Sequence, residues 1–119
     1  MRLGYVNLFV RDLDRAVDFY RDRLGLPVAE LAPEAGFAAF DAGTVRLAVA
    51  VVGDAQAELA GRHTGVGLVV DELEAVHARL AAEGVLFPMT PSRQPWGGFM
   101  ALMADPDGNV LYLDERPAP

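Results

Sequence analysis

The sequence predicts an α+β domain in which a strand–helix–strand–strand–strand module occurs twice. Two observations predict it. The alternating run Val6, Leu8, Val10 leads through Leu13 and Asp14 into an amphipathic segment, and the run Val66, Leu68, Val70 leads through Leu73 and Glu74 into another. After each amphipathic segment come short alternating runs separated by Gly, Pro and Asp, as strands joined by turns require. Helices that follow one strand per module and cover one face of a mostly antiparallel sheet define this class. The modules span about residues 1–52 and 65–115, with residues 53–64 as linker, inside one domain of 119 residues.

In the first strand Val6, Leu8 and Val10 share one face, and Tyr5, Asn7 and Phe9 share the other. Asp12 is placed to cap a helix over residues 13–24, accepting from the free amides of its first turn. Leu13, Val17, Tyr20 and Leu24 form its apolar stripe, and Gly25 ends it. Strands are expected at residues 26–31 and 36–41, joined by the turn Pro33-Glu34-Ala35-Gly36. Pro27 suits an edge position, because it brings no ladder donor. A fourth strand, residues 44–52, sets Val45, Leu47, Val49 and Val51 against Arg46, Ala48 and Ala50.

The linker is polar and Ala-rich, with room for one helical turn. The second module opens with a strand at residues 65–70 and a helix at 72–83, whose Leu73, Val76 and Leu80 point inward and whose cap is Gly84. His77 lies off that stripe and is read as solvated. A strand at 85–89 precedes a loop, residues 90–98, containing Gln94-Pro95-Trp96-Gly97-Gly98. The run Phe99 to Ala104 enters the turn Asp105-Pro106-Asp107-Gly108-Asn109, and the last strand covers residues 110–114. The tail beyond it is expected to fray.

Composition narrows the function classes. The chain is 52% hydrophobic, which excludes a disordered protein, and has no Cys, which excludes disulfides and thiol chemistry. No apolar run approaches the roughly 20 residues that span a bilayer. The start lacks the apolar core of a secretion signal, so a cytoplasmic location is expected. The net charge of −7 disfavours nucleic acid and anionic membranes as partners. All ten basic residues are Arg, which removes Schiff-base chemistry on a lysine.

The two strand faces differ in kind. One is uniformly aliphatic and is what the helices bury. The other carries Tyr5, Asn7, Phe9, Arg46, Ala48, Ala50, Gly65, Gly67, Val69, Tyr112 and Asp114. Small residues beside aromatics and a few polar groups describe a cavity. An interface with a second copy of the chain is the rival reading of that face.

Val10-Arg11-Asp12-Leu13 with Phe19-Tyr20 and Leu24-Gly25-Leu26, the second Val70-Asp71-Glu72-Leu73, and Asp105-Pro106-Asp107-Gly108-Asn109 before the final strand resemble the vicinal oxygen chelate superfamily. That superfamily includes glyoxalase I, extradiol dioxygenases and bleomycin-resistance proteins. The resemblance covers essentially the whole chain. It implies two modules forming a cupped, partly open eight-stranded mixed sheet, and commonly a homodimer. The superfamily's metal-dependent members hold the metal through side chains, usually His and Glu, from four strands. Those ligand positions fall here on Tyr5, about Ala48, Gly65 and Tyr112, none of them His or Glu. His63 stands two residues before the third position, and only a register shift brings it in.

The expectation is therefore a protein with no metal, no cofactor and no catalytic residue, closest to the bleomycin-resistance-like branch. Gln94-Pro95-Trp96-Gly97 also resembles a segment of such proteins. A planar or cationic small molecule, such as an antibiotic, is expected in a pocket formed by Tyr5, Asn7, Phe9, Arg46, Trp96, Phe99, Tyr112 and Asp114, inside the chain or at a dimer interface. Acidic surroundings are expected to attract a cation. The alternative is a divergent lyase, isomerase or dioxygenase of the same superfamily, and a third reading is a module with an empty cavity.

Overall fold

The computed structural model describes residues 1–117. Among the described residues, eight strands and two α-helices follow the predicted order. In the first module these are β1 (Tyr5–Val10), α1 (Leu13–Val17), β2 (Val28–Ala32), β3 (Phe37–Asp41) and β4 (Arg46–Val51). In the second they are β5 (His63–Val70), α2 (Leu73–Ala82), β6 (Leu86–Arg93), β7 (Phe99–Ala104) and β8 (Val110–Glu115). The strands make two four-stranded sheets, ordered β1-β4-β3-β2 and β5-β8-β7-β6. In each, the meander after the helix brings the last strand back beside the first, so β1–β4 and β5–β8 are parallel and the other pairs antiparallel. The expected fraying of the tail falls partly on residues 118 and 119, outside the described residues.

The chain divides into two compact units. One comprises Met1–Arg62 with Pro106–Asn109, and the other holds the rest. In the first, α1 lies on β3 and β4. Leu8, Val10, Ala38, Phe40, Leu47 and Val49 are buried there with Ala16, Val17, Phe19 and Tyr20. Burying each large apolar side chain contributes roughly 1.5–3 kcal/mol. Val51 departs from expectation: it ends its strand and is 41% exposed. In the second unit α2 lies on β6 and β8, with Leu73, Leu80, Ala101, Met103, Leu111 and Leu113 buried.

The first helix differs from the single α-helix expected over residues 13–24. Asp12 caps it as predicted, its Oδ1 accepting from the Arg15 amide at 3.0 Å. From Asp18 to Arg23 the winding becomes π-helical, and the Leu24 amide donates to the Phe19 carbonyl. The wider turn brings Phe19 inward beside Tyr20, where regular α winding leaves it off the stripe. The rings meet edge to face at 4.9 Å, and Tyr20 stacks obliquely on Phe40 at 5.7 Å. Tyr20 and Phe40 are fully buried.

Two further differences shape the second unit. Strand β6 runs to Arg93 and absorbs much of the expected loop. Its prolines, Pro88 and Pro91, are accommodated because β6 is an edge strand with two register shifts. His77 is half-buried rather than solvated, because its ring packs edge to face on Phe87 of β6 at 4.5 Å.

Candidate functional site: a hollow on the first sheet

The sheet of the first unit turns its helix-free face to a hollow of about 1120 Å³. Strand register explains its shape. Tyr5, Arg46 and Asp41 form one row across β1, β4 and β3. Asn7, Ala48 and Ala39 form the next, extended by Glu30 of β2. Phe9, Ala50 and Phe37 form the third. The small residues Ala48, Ala50 and Ala39 therefore occupy the centre of this face, while larger side chains stand around them. Ala48 and Ala39 are the buried floor, and Phe9 and Phe37 rise on either side of Ala50.

The polar groups gather at the other margin. Arg46 and Asp41 are direct cross-strand neighbours at the open end, with Tyr5 beside them, 64% exposed. Arg2 and Thr44 join the lining nearby. Among the described residues, the side chains of Asn7, Glu30, Asp41 and Arg46 enter none of the hydrogen bonds or ion pairs found. Their heads are available to a ligand. The lining carries Arg2 and Arg46 against Glu30 and Asp41, so the local charge balances. The acidity expected around the site is a property of the chain as a whole and not of this hollow.

Of the predicted site residues, Tyr5, Asn7, Phe9 and Arg46 come together here. Trp96, Phe99, Tyr112 and Asp114 belong to the second unit and do not line the hollow. Tyr112 and Asp114 do share a face with Gly67, where an added Cβ would meet Asp114 Oδ2 at 3.3 Å and Tyr112 Cβ at 3.7 Å. Phe99 alternates with Met100 and so lies on the opposite face of β7, with Ala101 and Met103. The Arg93 guanidinium covers its ring at 4.8 Å. Trp96 caps the β6–β7 hairpin, 74% exposed, with its indole folded over Gly98. Gln94 serves the same hairpin: its amide donates to the Gly98 carbonyl and its carbonyl accepts from Gly97.

Phe37, Ala39, Asp41 and Glu30 were not among the predicted residues. Their signal is the alternation Phe37, Ala39, Asp41 against Ala38 and Phe40, which becomes informative once β3 is paired with β4.

The register shift that His63 needed does exist. β5 begins at His63 and is bulged, with His63 opposite Val110 but Gly67 opposite Tyr112. Gly65 sits in the bulge at φ +72°, a conformation that glycine adopts without strain. The His63 ring meets Tyr112 at 4.9 Å, and its Nδ1 accepts from the Gly65 amide at 3.1 Å. This places one imidazole against a tyrosine and does not build a metal site. Ala48 and Gly65 have no donor atom in their side chains. Among the described residues no group of three or more His, Cys, Asp or Glu side chains is placed to hold a metal ion. The residues present do not fit the superfamily's metal.

A fold of two β-α-β-β-β modules, each with its first and last strands parallel, defines the class. The chain belongs to the glyoxalase/bleomycin resistance protein/dioxygenase superfamily, whose profile matches residues 2–113. It is 30% identical to the uncharacterized protein YraH of Bacillus subtilis, over 95% of this chain and 97% of that one. A superfamily member from Sphaerobacter thermophilus has a crystal structure that superposes with a TM-score of 0.82 at 26% identity, covering 98% of each chain. A lactoylglutathione lyase from Agrobacterium tumefaciens shares the fold, with a TM-score of 0.76 at 23% identity, covering 96% of this chain and 92% of the lyase.

Proposed function

We propose that this chain binds a small organic molecule in the hollow of its first sheet and acts by capture, without a metal. The observation that carries this reading is the hollow itself: an apolar floor of Ala39, Ala48 and Ala50 between aromatic margins, with the unengaged polar heads of Asn7 and Arg46 beside it. Ligand sites are typically concave, mostly apolar and supplied with a few placed polar groups. The lack of a donor set at the superfamily's ligand positions supports capture over metal-assisted conversion.

Thermal-shift screening of an aryl-compound library tests the reading, run in parallel on the wild-type chain and on Ala48→Trp. Ala48 is the floor, so an indole there fills the space the ligand needs. Compounds that raise the wild-type Tm are expected to leave the variant unmoved, with circular dichroism confirming that it is folded. Equal shifts in both proteins, or none in either, would overturn it. Quenching of Trp96 is the weaker readout, because that ring does not line the hollow.

A further inference from the structure

Resting on the reading above, we infer the class of ligand: a zwitterionic aryl compound, with one planar ring at one end and a carboxylate and an ammonium group at the other. The first argument is spacing. Phe9 and Phe37 stand two strands apart with Ala50 between them, and neighbouring strands lie about 4.8 Å apart. The two phenylalanine backbones are therefore roughly 9.6 Å apart. Aromatic rings pair at centroid separations of about 4.5–7 Å, so one ring inserted between Phe9 and Phe37 pairs with both. Ala50 leaves the slot open below it, and a larger residue there would close it.

The second argument is charge. Arg46 and Asp41 face each other across β3 and β4, four residues along their strands from Ala50 and Phe37. That is about 13 Å of backbone, and Arg46 lines the same hollow as the slot. Arg46 presents a planar fork suited to a carboxylate. Asp41 and, one row further in, Glu30 present acceptors suited to an ammonium group. Opposite charges side by side, neither consumed in an ion pair, suit a ligand that carries both signs. A purely cationic ligand leaves Arg46 repelling it, and a purely anionic one leaves Asp41 and Glu30 doing so.

Isothermal titration with three probes tests this: 2-amino-4-phenylbutyric acid, 4-phenylbutyric acid and 4-phenylbutylamine. The zwitterion is expected to bind at least about tenfold more tightly than either partner, a charge-assisted contact being lost each time. Arg46→Gln is expected to remove the preference for the zwitterion over the amine, and Asp41→Asn combined with Glu30→Gln the preference over the acid. Ala50→Phe is expected to abolish binding of all three. If all three bind with equal affinity and Ala50→Phe or Ala48→Trp still abolishes binding, the ligand class is wrong and the hollow remains the site. If binding survives both filling variants, the proposed site itself fails. No binding by any of the three overturns the ligand class.

Discussion

The Asp107 carboxylate accepts a hydrogen bond from the Arg15 guanidinium at 2.9 Å, across 92 residues of sequence. The same oxygen accepts from the Arg11 amide at 3.0 Å, and the Asp107 carbonyl takes a longer bond from the Arg11 guanidinium. Asp107 is thus the acceptor that joins the β7–β8 turn to the start of α1. Its side chain is fully buried, while both arginine side chains are 48% exposed.

That asymmetry sets the first prediction. Asp107→Ala leaves the Arg11 amide and the Arg15 guanidinium without their acceptor and is expected to lower stability by roughly 2–4 kcal/mol. Arg15→Ala removes a half-exposed cation that water readily replaces, and is expected to cost about 1 kcal/mol or less. Urea unfolding of the two variants measures the difference. Equal small losses would show that the turn is not held by its carboxylate.

Asn109 braces the same turn with both ends of its amide. Its Nδ2 donates to the Phe9 carbonyl at 2.8 Å, and its Oδ1 accepts from the Gly61 and Arg62 amides at 2.8 and 3.4 Å. It is 2% exposed, so no water stands ready to replace these bonds. Asn109→Ala is expected to cost roughly 2–3 kcal/mol. Asn109→Asp keeps the acceptor but sets a carboxylate oxygen against the Phe9 carbonyl, and is expected to be at least as damaging at neutral pH. An aspartate variant as stable as wild type would rule out the donor role.

His63 carries a prediction about its protonation pattern. A bond from the Gly65 amide to Nδ1 requires that nitrogen to be bare, so the neutral ring holds its proton on Nε2. Nitrogen chemical shifts of the imidazole report the tautomer directly. A shift pattern for Nδ1–H would contradict the bulge geometry.

Much of this organisation was legible in the sequence, and the limits have physical causes. Period-two alternation placed Tyr5, Asn7, Phe9, Arg46, Ala48 and Ala50 on one face, because alternation is a property of each strand alone. The rows across the sheet depend on register, so the contributions of Phe37 and Asp41 appear only when β3 is paired with β4. Trp96 was expected in the pocket with Tyr5 because its segment resembles one in bleomycin-resistance proteins, but it caps a hairpin in the second unit and does not line the hollow. The Asp-Pro-Asp-Gly-Asn stretch reads as a turn from its own residues. Its polar partners, the Arg15 guanidinium and the Phe9 carbonyl, lie about a hundred residues away and leave no local mark. The π-helical turn is equally hidden, since Phe19 and Tyr20 each suit an α-helix.

Gly98 supports a prediction about Trp96. A Cβ at Gly98 would come within 2.7 Å of the indole Nε1. Gly98→Ala must therefore push the indole away, a movement that an exposed side chain makes at low cost. The expected outcome is altered Trp fluorescence with a change of less than about 1 kcal/mol in stability. Because the ring does not line the hollow, ligand affinity is expected to stay at the wild-type value. Lost affinity in this variant would bring Trp96 back into the binding site.

The two modules cap their helices by different routes, and this yields the last prediction. Asp12 caps α1 from the adjacent residue. Glu72, in the matching position before α2, makes no side-chain cap bond. Instead Glu115, at the end of β8, accepts from the Leu73 amide at 3.1 Å. A carboxylate at a helix N-terminus also meets the positive end of the helix dipole, whichever part of the chain supplies it. Glu115→Ala and Asp12→Ala are therefore each expected to destabilise by about 1 kcal/mol, whereas Glu72→Ala is expected to be near neutral. Amide hydrogen exchange separates the cases: Glu115→Ala should speed exchange in the first turn of α2 and leave α1 protected. Loss of protection in α2 on replacing Glu72 instead would show that the local residue is the cap after all.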